Sequence, residues 1–368
     1  MLTYAVRRFA HRLGLIDVPR EGRFSERPTP KGGGMAIFAG TALSIAAAYF
    51  WFARNGGDPA GAELFSHTQT IVMVLLGGLV LVVLGFLDDI KGLPVWIRLG
   101  VELGVAVGLF FFTDDVQVTF FAPYAWLPVL FTSLWIVAIT NSFNLLDNMD
   151  GLSAGVAFIV SGVLLWVAVT ADPPQYFLCV LLIGFMGSLL GFLLFNFPPA
   201  SIFMGDSGSL FLGYFVAVLS TVCTFTTFRS GNVVAAALPL LMMAVPLYDS
   251  FSVVWIRMKN GVSIFEGDKN HLSHRLVGLG FTVRDAVLVI YLLTFCCGVG
   301  AALVGRLDSL GAGLVLVQVG GFLLLTALLE RAGRHALRKV RKEEGGEERE
   351  EEGERGRGEE GEGEEHDY

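Results

Sequence analysis

Five short polar stretches interrupt a largely apolar chain, and each carries residue types suited to phosphate or a hard cation. They are Pro28-Thr-Pro-Lys31-Gly-Gly-Gly34, Gly85-Phe-Leu-Asp88-Asp89-Ile-Lys91 and Asn141-Ser-Phe-Asn144-Leu-Leu-Asp147-Asn-Met-Asp150-Gly-Leu, then Asn196 to Ser209, which ends Phe203-Met-Gly-Asp206-Ser-Gly-Ser, and His271-Leu-Ser-His274-Arg275-Leu. Carboxylates and asparagine oxygens are the ligands magnesium takes when substrate phosphates complete its octahedron. Glycine-rich turns let backbone N–H groups approach phosphate closely. Lys31, Lys91, His271, His274 and Arg275 supply charge to neutralise a diphosphate. Acids, bases and glycine turns together suit phosphoryl transfer, where positioning and charge stabilisation provide most of the catalysis.

Each stretch alone has a plainer reading. Asp88 and Asp89 could end a helix in water, Lys31 could be an ordinary flanking lysine, and Phe203 an interfacial aromatic. Asp147-x-x-Asp150-Gly lacks the other ligands of a calcium loop. Gly205-Asp-Ser-Gly-Ser209 resembles a serine-protease nucleophile loop but has apolar flanks and no triad partners. His271-x-x-His274 has no third zinc ligand nearby. Glu102, Asp249 and Glu330 lie in or beside apolar stretches, and no motif recruits them.

The elements that must position these stretches are membrane helices. Of 368 residues, 54% are hydrophobic and 16% charged, against roughly a quarter charged in soluble domains. Apolar runs near 33–53, 69–87, 95–113, 125–141, 152–170, 176–195, 209–228, 233–256, 284–304 and 309–329 predict ten crossings. Backbone in lipid must bond to itself, which selects helices, and the runs do not alternate as barrel strands do. The expected fold is therefore an all-α polytopic membrane protein. With ten crossings, all five polar stretches fall on one face. Acids repeatedly placed at span ends on a single face mark a functional site.

Charge sets the orientation. The same face carries Arg7, Arg8, Arg12, Arg20, Arg23, Arg27, Lys31, Lys91, Arg98, Arg257, Lys259, Lys269, Arg275, Arg284 and the basic stretch from Arg331 to Lys342, while the other face carries only Arg54, Arg229 and Arg306. The positive-inside rule places the first face in the cytoplasm of an inner membrane. The net charge of −8 is concentrated in residues 343–368, where fourteen acidic residues face three arginines. That Glu/Gly-rich tail cannot bury a core and reads as disordered and cytoplasmic. The expected organisation is an N-terminal segment (1–32), a membrane catalytic domain (33–329), a basic segment (330–342) and the acidic tail (343–368). Cys179, Cys223, Cys296 and Cys297 all lie in apolar runs and read as small core residues.

In this order the stretches resemble the polyprenyl-phosphate N-acetylhexosamine-1-phosphate transferases, from about Gly14 to Leu276. The resemblance implies that a polyprenyl phosphate, undecaprenyl phosphate in most bacteria, attacks the β-phosphate of a UDP-N-acetylhexosamine and releases UMP. It implies magnesium, with manganese as a substitute, held by Asn144 and Asp206. Asp88 would be the base, with Asp89 beside it. Asp147 and Asp150 would organise the nucleotide end, and Phe203 would stack on uracil. Lys31 and Asn141 would lie at the phosphates and substrate, while His271, His274 and Arg275 would recognise sugar and diphosphate.

Pro-Thr-Pro-Lys-Gly-Gly-Gly and His-x-x-His-Arg look more like the GlcNAc-1-phosphate branch than the muramoyl-pentapeptide branch. The sequence departs from the family pattern at Met1 to Leu13, where a further first span is expected, and at Gly22-Arg-Phe-Ser25, where relatives carry a histidine. The partners expected are the UDP-sugar, the lipid phosphate and the bilayer. Nucleic acid is not expected, and a homodimer is left open. An ion-coupled carrier would also have many spans and buried acids, but its site would lie near mid-membrane between repeats, and no internal repeat is visible. A catalytically silent scaffold descended from the enzyme is the other competing reading.

Overall fold

The computed structural model describes residues 1–10, 15–17, 28–118, 126–228, 237–263, 270–304 and 306–333, with no side-chain description for 224–228. Among the described residues it is helical, with one small strand pair. The order is α1 (Leu2–Ala10), β1 (Ile16–Asp17), β2 (Thr29–Pro30), α2 (Gly33–Asn55), α3 (Pro59–Ser66), α4 (Thr68–Lys91), α5 (Val95–Phe112), α6 (Leu127–Leu146) and α7 (Leu152–Val169). Then follow α8 (Tyr176–Asn196), α9 (Asp206–Phe228), α10 (Leu238–Met242), α11 (Ala244–Lys259), α12 (Leu272–Gly278) and α13 (Val283–Val304), and α14 (Ser309–Gly333). Among the described residues, nine helices are long and apolar enough to cross a membrane: α2, α4 to α9, α13 and α14. This is a multi-pass, all-α membrane protein.

One expected crossing differs in form. The run near 233–256 is not a single helix: α10 ends at Met242, Met243 makes a turn, and α11 continues for 16 residues. Pro239 and Pro246 stand near this break, where each removes a backbone donor and restricts the preceding residue. The acidic tail, residues 343–368, lies outside the described residues, as does Arg23 to Ser25. Residues 2–10 form a nine-residue helix, about half the length needed to cross the hydrocarbon core. Its Arg7 donates to Ser201 Oγ at 3.0 Å.

The bundle is built around α9, which packs on α2, α4, α6 and α7. Small residues let the backbones meet there, the usual means of helix association when lipid supplies no hydrophobic drive. Gly213 faces the Thr140 backbone of α6, and a Cβ on Gly34 of α2 would run into the Gly208 backbone. Tyr214 donates to the Val74 carbonyl of α4 at 2.9 Å, which satisfies its buried hydroxyl. Facing outward are Leu43, Phe111, Leu194 and Val317, side chains suited to lipid. Trp51, Trp96, Trp126, Trp166 and Trp255, all near helix ends, are also exposed, as interfacial tryptophans are.

Candidate active site

The five polar stretches meet at one end of the bundle. A backbone ladder joins the first to the fourth: Phe203 N–H donates to the Pro30 carbonyl at 2.8 Å, and Gly33 and Gly34 N–H donate to the Phe203 and Met204 carbonyls at 3.0 and 3.1 Å. Gly32, at the N-cap of α2, has φ 106°, and Gly205, just before α9, has φ 74°. Both lie in the left-handed region that favours glycine. A Cβ on Gly205 would also press on the Asp89 carboxylate. The glycines therefore serve turn geometry and close backbone approach.

Lys31 is held by its neighbours in the chain. Its N–H donates to the Leu15 carbonyl at 2.9 Å, and β1 pairs antiparallel with β2 through Asp17 and Thr29. Lys31 Nζ then lies 3.3 Å from Asp17 Oδ1 and 3.7 Å from Asp89 Oδ1. Asp17 enters the site through this pairing. Asp89 Oδ2 also accepts the Ser207 N–H, at 3.4 Å, in the first turn of α9, where helix N–H groups favour a negative charge.

Asp88 turns away from that cluster. Its Oδ2 accepts from Arg98 Nη1 at 2.7 Å and its Oδ1 from the Leu93 N–H at 2.6 Å. Of the two adjacent acids, only Asp89 faces Lys31 and α9, a different division from the one expected of a base at Asp88. The physical reason is helical: consecutive residues point about 100° apart, so the pair cannot share one face.

Asn144 and Asp206, the two residues the resemblance assigns to magnesium, are hydrogen-bonded to each other. Asn144 Nδ2 donates to Asp206 Oδ1 and to Ser209 Oγ, each at 2.9 Å. Asp147 ends α6, its N–H bonded to the Phe143 carbonyl. Asp150 braces two loops, accepting the Ala200 N–H through Oδ2 at 2.8 Å, and burial pushes its carboxyl above the usual range despite that hydrogen bond. Gly151 N–H donates to Asn196 Oδ1 at 3.0 Å, and Tyr291 donates to the Gly151 carbonyl at 2.5 Å.

Asn141 sits deeper, in α6, and bonds to buried Glu102 of α5. Glu102 and Arg98 are four residues apart on α5, so this helix contacts both the Asp88 and Asn141 motifs. His271, at the N-cap of α12, lies 2.9 Å from Asp249 Oδ2 through Nδ1. Arg275 Nη1 pairs with Glu330 Oε2 at 3.1 Å. The His271 and His274 rings lie 6.2 Å apart. Ser273 Oγ donates to Asn148 Oδ1 at 2.5 Å, which ties α12 to the Asp147–Asp150 loop. Sequence patterns could not recruit Glu102, Asp249 or Glu330, because their partners lie on other helices. An isolated acid inside an apolar run was the only available signal.

A cation would meet carboxylates and an amide here rather than a full protein cage. Among the described residues no three His, Cys, Asp or Glu side chains gather as a metal site. Asn144, whose Nδ2 faces Asp206 and Ser209 here, would have to turn its amide to add Oδ1. Asp206 and nearby Asp89 offer two carboxylates. That fits magnesium, which keeps waters and substrate phosphates among its ligands.

Residues 71–224 match the model of glycosyl transferase family 4. The chain is 32% identical over 309 residues to a Bacillus subtilis (strain 168) protein described as a probable undecaprenyl-phosphate N-acetylglucosaminyl 1-phosphate transferase, covering 82% of this chain and 80% of that one. It is 32% identical over 355 residues to a Mycobacterium tuberculosis (strain CDC 1551 / Oshkosh) decaprenyl-phosphate N-acetylglucosaminephosphotransferase, covering 89% and 86%. It is 25% identical over 309 residues to an Escherichia coli (strain K12) undecaprenyl-phosphate alpha-N-acetylglucosaminyl 1-phosphate transferase, covering 79% and 77%.

Proposed function

The chain belongs to glycosyl transferase family 4, among its polyprenyl-phosphate N-acetylglucosamine-1-phosphate transferases, and on that premise we propose how it acts. It is a membrane phosphotransferase that places GlcNAc 1-phosphate on a polyprenyl phosphate, the first membrane step of an envelope glycan. The donor is UDP-GlcNAc and the acceptor undecaprenyl phosphate. The observation that carries this reading is the gathering of Lys31, Asp89, Asn144 and Asp206 at the N-terminus of the buried α9. The site lies at the end of the bundle, not at mid-depth, which suits a lipid headgroup meeting a water-soluble donor and does not suit a carrier.

In this reading a lipid phosphate oxygen attacks the sugar-bearing phosphorus of the donor, the bond to the UMP oxygen breaks, and UMP leaves. Asp89 takes the proton from the lipid phosphate. Its position between Lys31 and the start of α9 supports that role, whereas Asp88 is committed to Arg98. Lys31 balances phosphate charge. Asp147 and Asp150 organise the nucleotide end, and Phe203 stacks on uracil. His271 and His274 meet the sugar and diphosphate, while Arg275 is committed to Glu330 and Ser252 and Asn141 to Glu102. Asn144 and Asp206 would hold magnesium, or manganese, which supplies neutralisation of the charge that develops on the diphosphate. The excess of basic residues in the loops that the sequence assigns to this end supports a cytoplasmic face of the inner membrane.

The test is UMP release by the purified full-length protein in detergent with UDP-GlcNAc, undecaprenyl phosphate and magnesium, run beside UDP-MurNAc-pentapeptide. Release with UDP-GlcNAc is expected. Release with the pentapeptide donor alone would keep the chemistry and move the chain to the muramoyl branch. Release with neither donor would overturn the reading.

A further inference from the structure

One almost fully enclosed acid near the site is not used by the reaction above. Asp249, in α11, is 1% exposed. Its Oδ2 lies 2.9 Å from His271 Nδ1, and its Oδ1 accepts the Leu272 N–H at 2.6 Å. Arg275 Nη2 is 3.8 Å from the same Oδ1 and donates to Ser252 Oγ at 2.7 Å. Through Nη1, Arg275 also pairs with buried Glu330 of α14. Three helices, α11, α12 and α14, thus converge on the loop that presents His271.

An ionised carboxylate only accepts hydrogen bonds, so this contact selects the His271 tautomer with its proton on Nδ1 whenever Asp249 is the acceptor. A histidine's second nitrogen takes its role from what the first one bonds. Among the described residues no hydrogen bond engages His271 Nε2. The Ser273–Asn148 bond ties the first turn of α12, which follows His271, to the loop that carries Asp147 and Asp150. A carboxylate buried in an apolar span is costly unless it is paired and hydrogen-bonded, and here both oxygens are used to fix one imidazole and the first turn of α12.

We propose that Asp249 is a positioning residue for the transfer, holding His271 in its Nδ1-protonated form with Nε2 presented to the diphosphate of the donor. Arg275 and Glu330 keep α12 in register with it. This rests on the function proposed above. A purely structural Asp249 would tie helices together and act independently of the imidazole.

A double-mutant cycle separates the two. UMP release is measured for the wild type, Asp249→Asn, His271→Ala and the double variant, with thermal midpoints in parallel. Asp249→Asn should lower kcat/KM by about tenfold or more, the usual scale for losing a group that orients a functional histidine. In the His271→Ala background it should cost less than about twofold, because the residue it acts through is gone. Fully additive losses would overturn the proposal. A second measurement needs no Asp249 variant: 15N shifts of histidine-labelled wild type, with His271→Gln for assignment, should show the Nδ1–H tautomer. The Nε2–H tautomer would also overturn it. A wild type that releases no UMP would refute the function and leave the tautomer result standing on its own.

Discussion

Arg98 donates to Asp88 across 2.7 Å, and this contact separates two adjacent acids into different tasks. Asp88 joins the end of α4 to α5, with the Leu93 N–H on its other oxygen. Asp89, one residue on, is left facing Lys31 and α9. The acidic pair is thus half scaffold and half site.

Asp88→Asn and Asp89→Asn should therefore fail differently. Breaking a buried ion pair from one side costs about 3–5 kcal/mol, so Asp88→Asn should lower the thermal midpoint clearly. Asp89→Asn should keep a near-native midpoint and lose UMP release by at least about a hundredfold. Equal midpoints with activity lost only at Asp88 would return the base to that residue.

Asp206→Asn should abolish magnesium-supported turnover in a folded protein, and a chelator should do the same to the wild type until magnesium is returned. The reason is that only two carboxylates stand in the donor set, so removing one leaves a site too weak to hold the cation against water. Undiminished turnover in the variant would remove Asp206 as a ligand.

Gly34→Ala should be far more damaging than Gly100→Ala. The added methyl at position 34 meets the Gly208 backbone, whereas position 100 has open space around it. Overpacking of this kind costs about 1–3 kcal/mol and more when backbone must move, while an exposed helical Gly→Ala is stabilising by roughly 0.5–1 kcal/mol. Thermal midpoints in a single detergent would show the contrast, and a tolerated Gly34→Ala would mean that α2 and α9 slide apart easily.

The far end of the bundle should carry a pH-dependent latch. His67 Nδ1 lies 2.9 Å from Asp115 Oδ2, and the His67 ring stacks on Phe177. The hydrogen bond to Asp115 raises His67 above 6.5 despite burial, with the Asp115 and Glu63 charges adding to it. Burial pushes Asp115 up, but the hydrogen bonds from His67 and Thr70 outweigh it and leave its carboxyl below 3.8. His67 therefore contributes stability in full below pH 6.5, lost as pH rises through its raised value. Asp115 contributes above pH 3.8, lost as pH falls through its lowered one. The midpoint difference between the wild type and Asp115→Asn should be largest between those limits and shrink above pH 6.5. A difference that stays constant into alkaline pH would show that the contact is neutral.

Lipid exposure makes the fold easy to read in this sequence. Runs of about twenty apolar residues can only be helices in a bilayer, and loop parity then puts Lys31, Asp89, Asn144, Asp206 and His271 on one face without any tertiary information. The exception is the run near 233–256, where prolines and a turn at Met243 split the helix, a matter of local backbone geometry that apolar content does not report. The family resemblance likewise paired Asn144 with Asp206, but it could not show that Asp88 and Asp89 face different neighbours. That division depends on Arg98, ten residues away on another helix. Nor could it recruit Glu102, Asp249 and Glu330, whose partners lie 39, 22 and 55 residues away in the chain. Composition and periodicity act along the chain and determined the spans and the site's face. Which buried acid meets which base is set by helix rotation and packing across the bundle, and only the tertiary structure decides it.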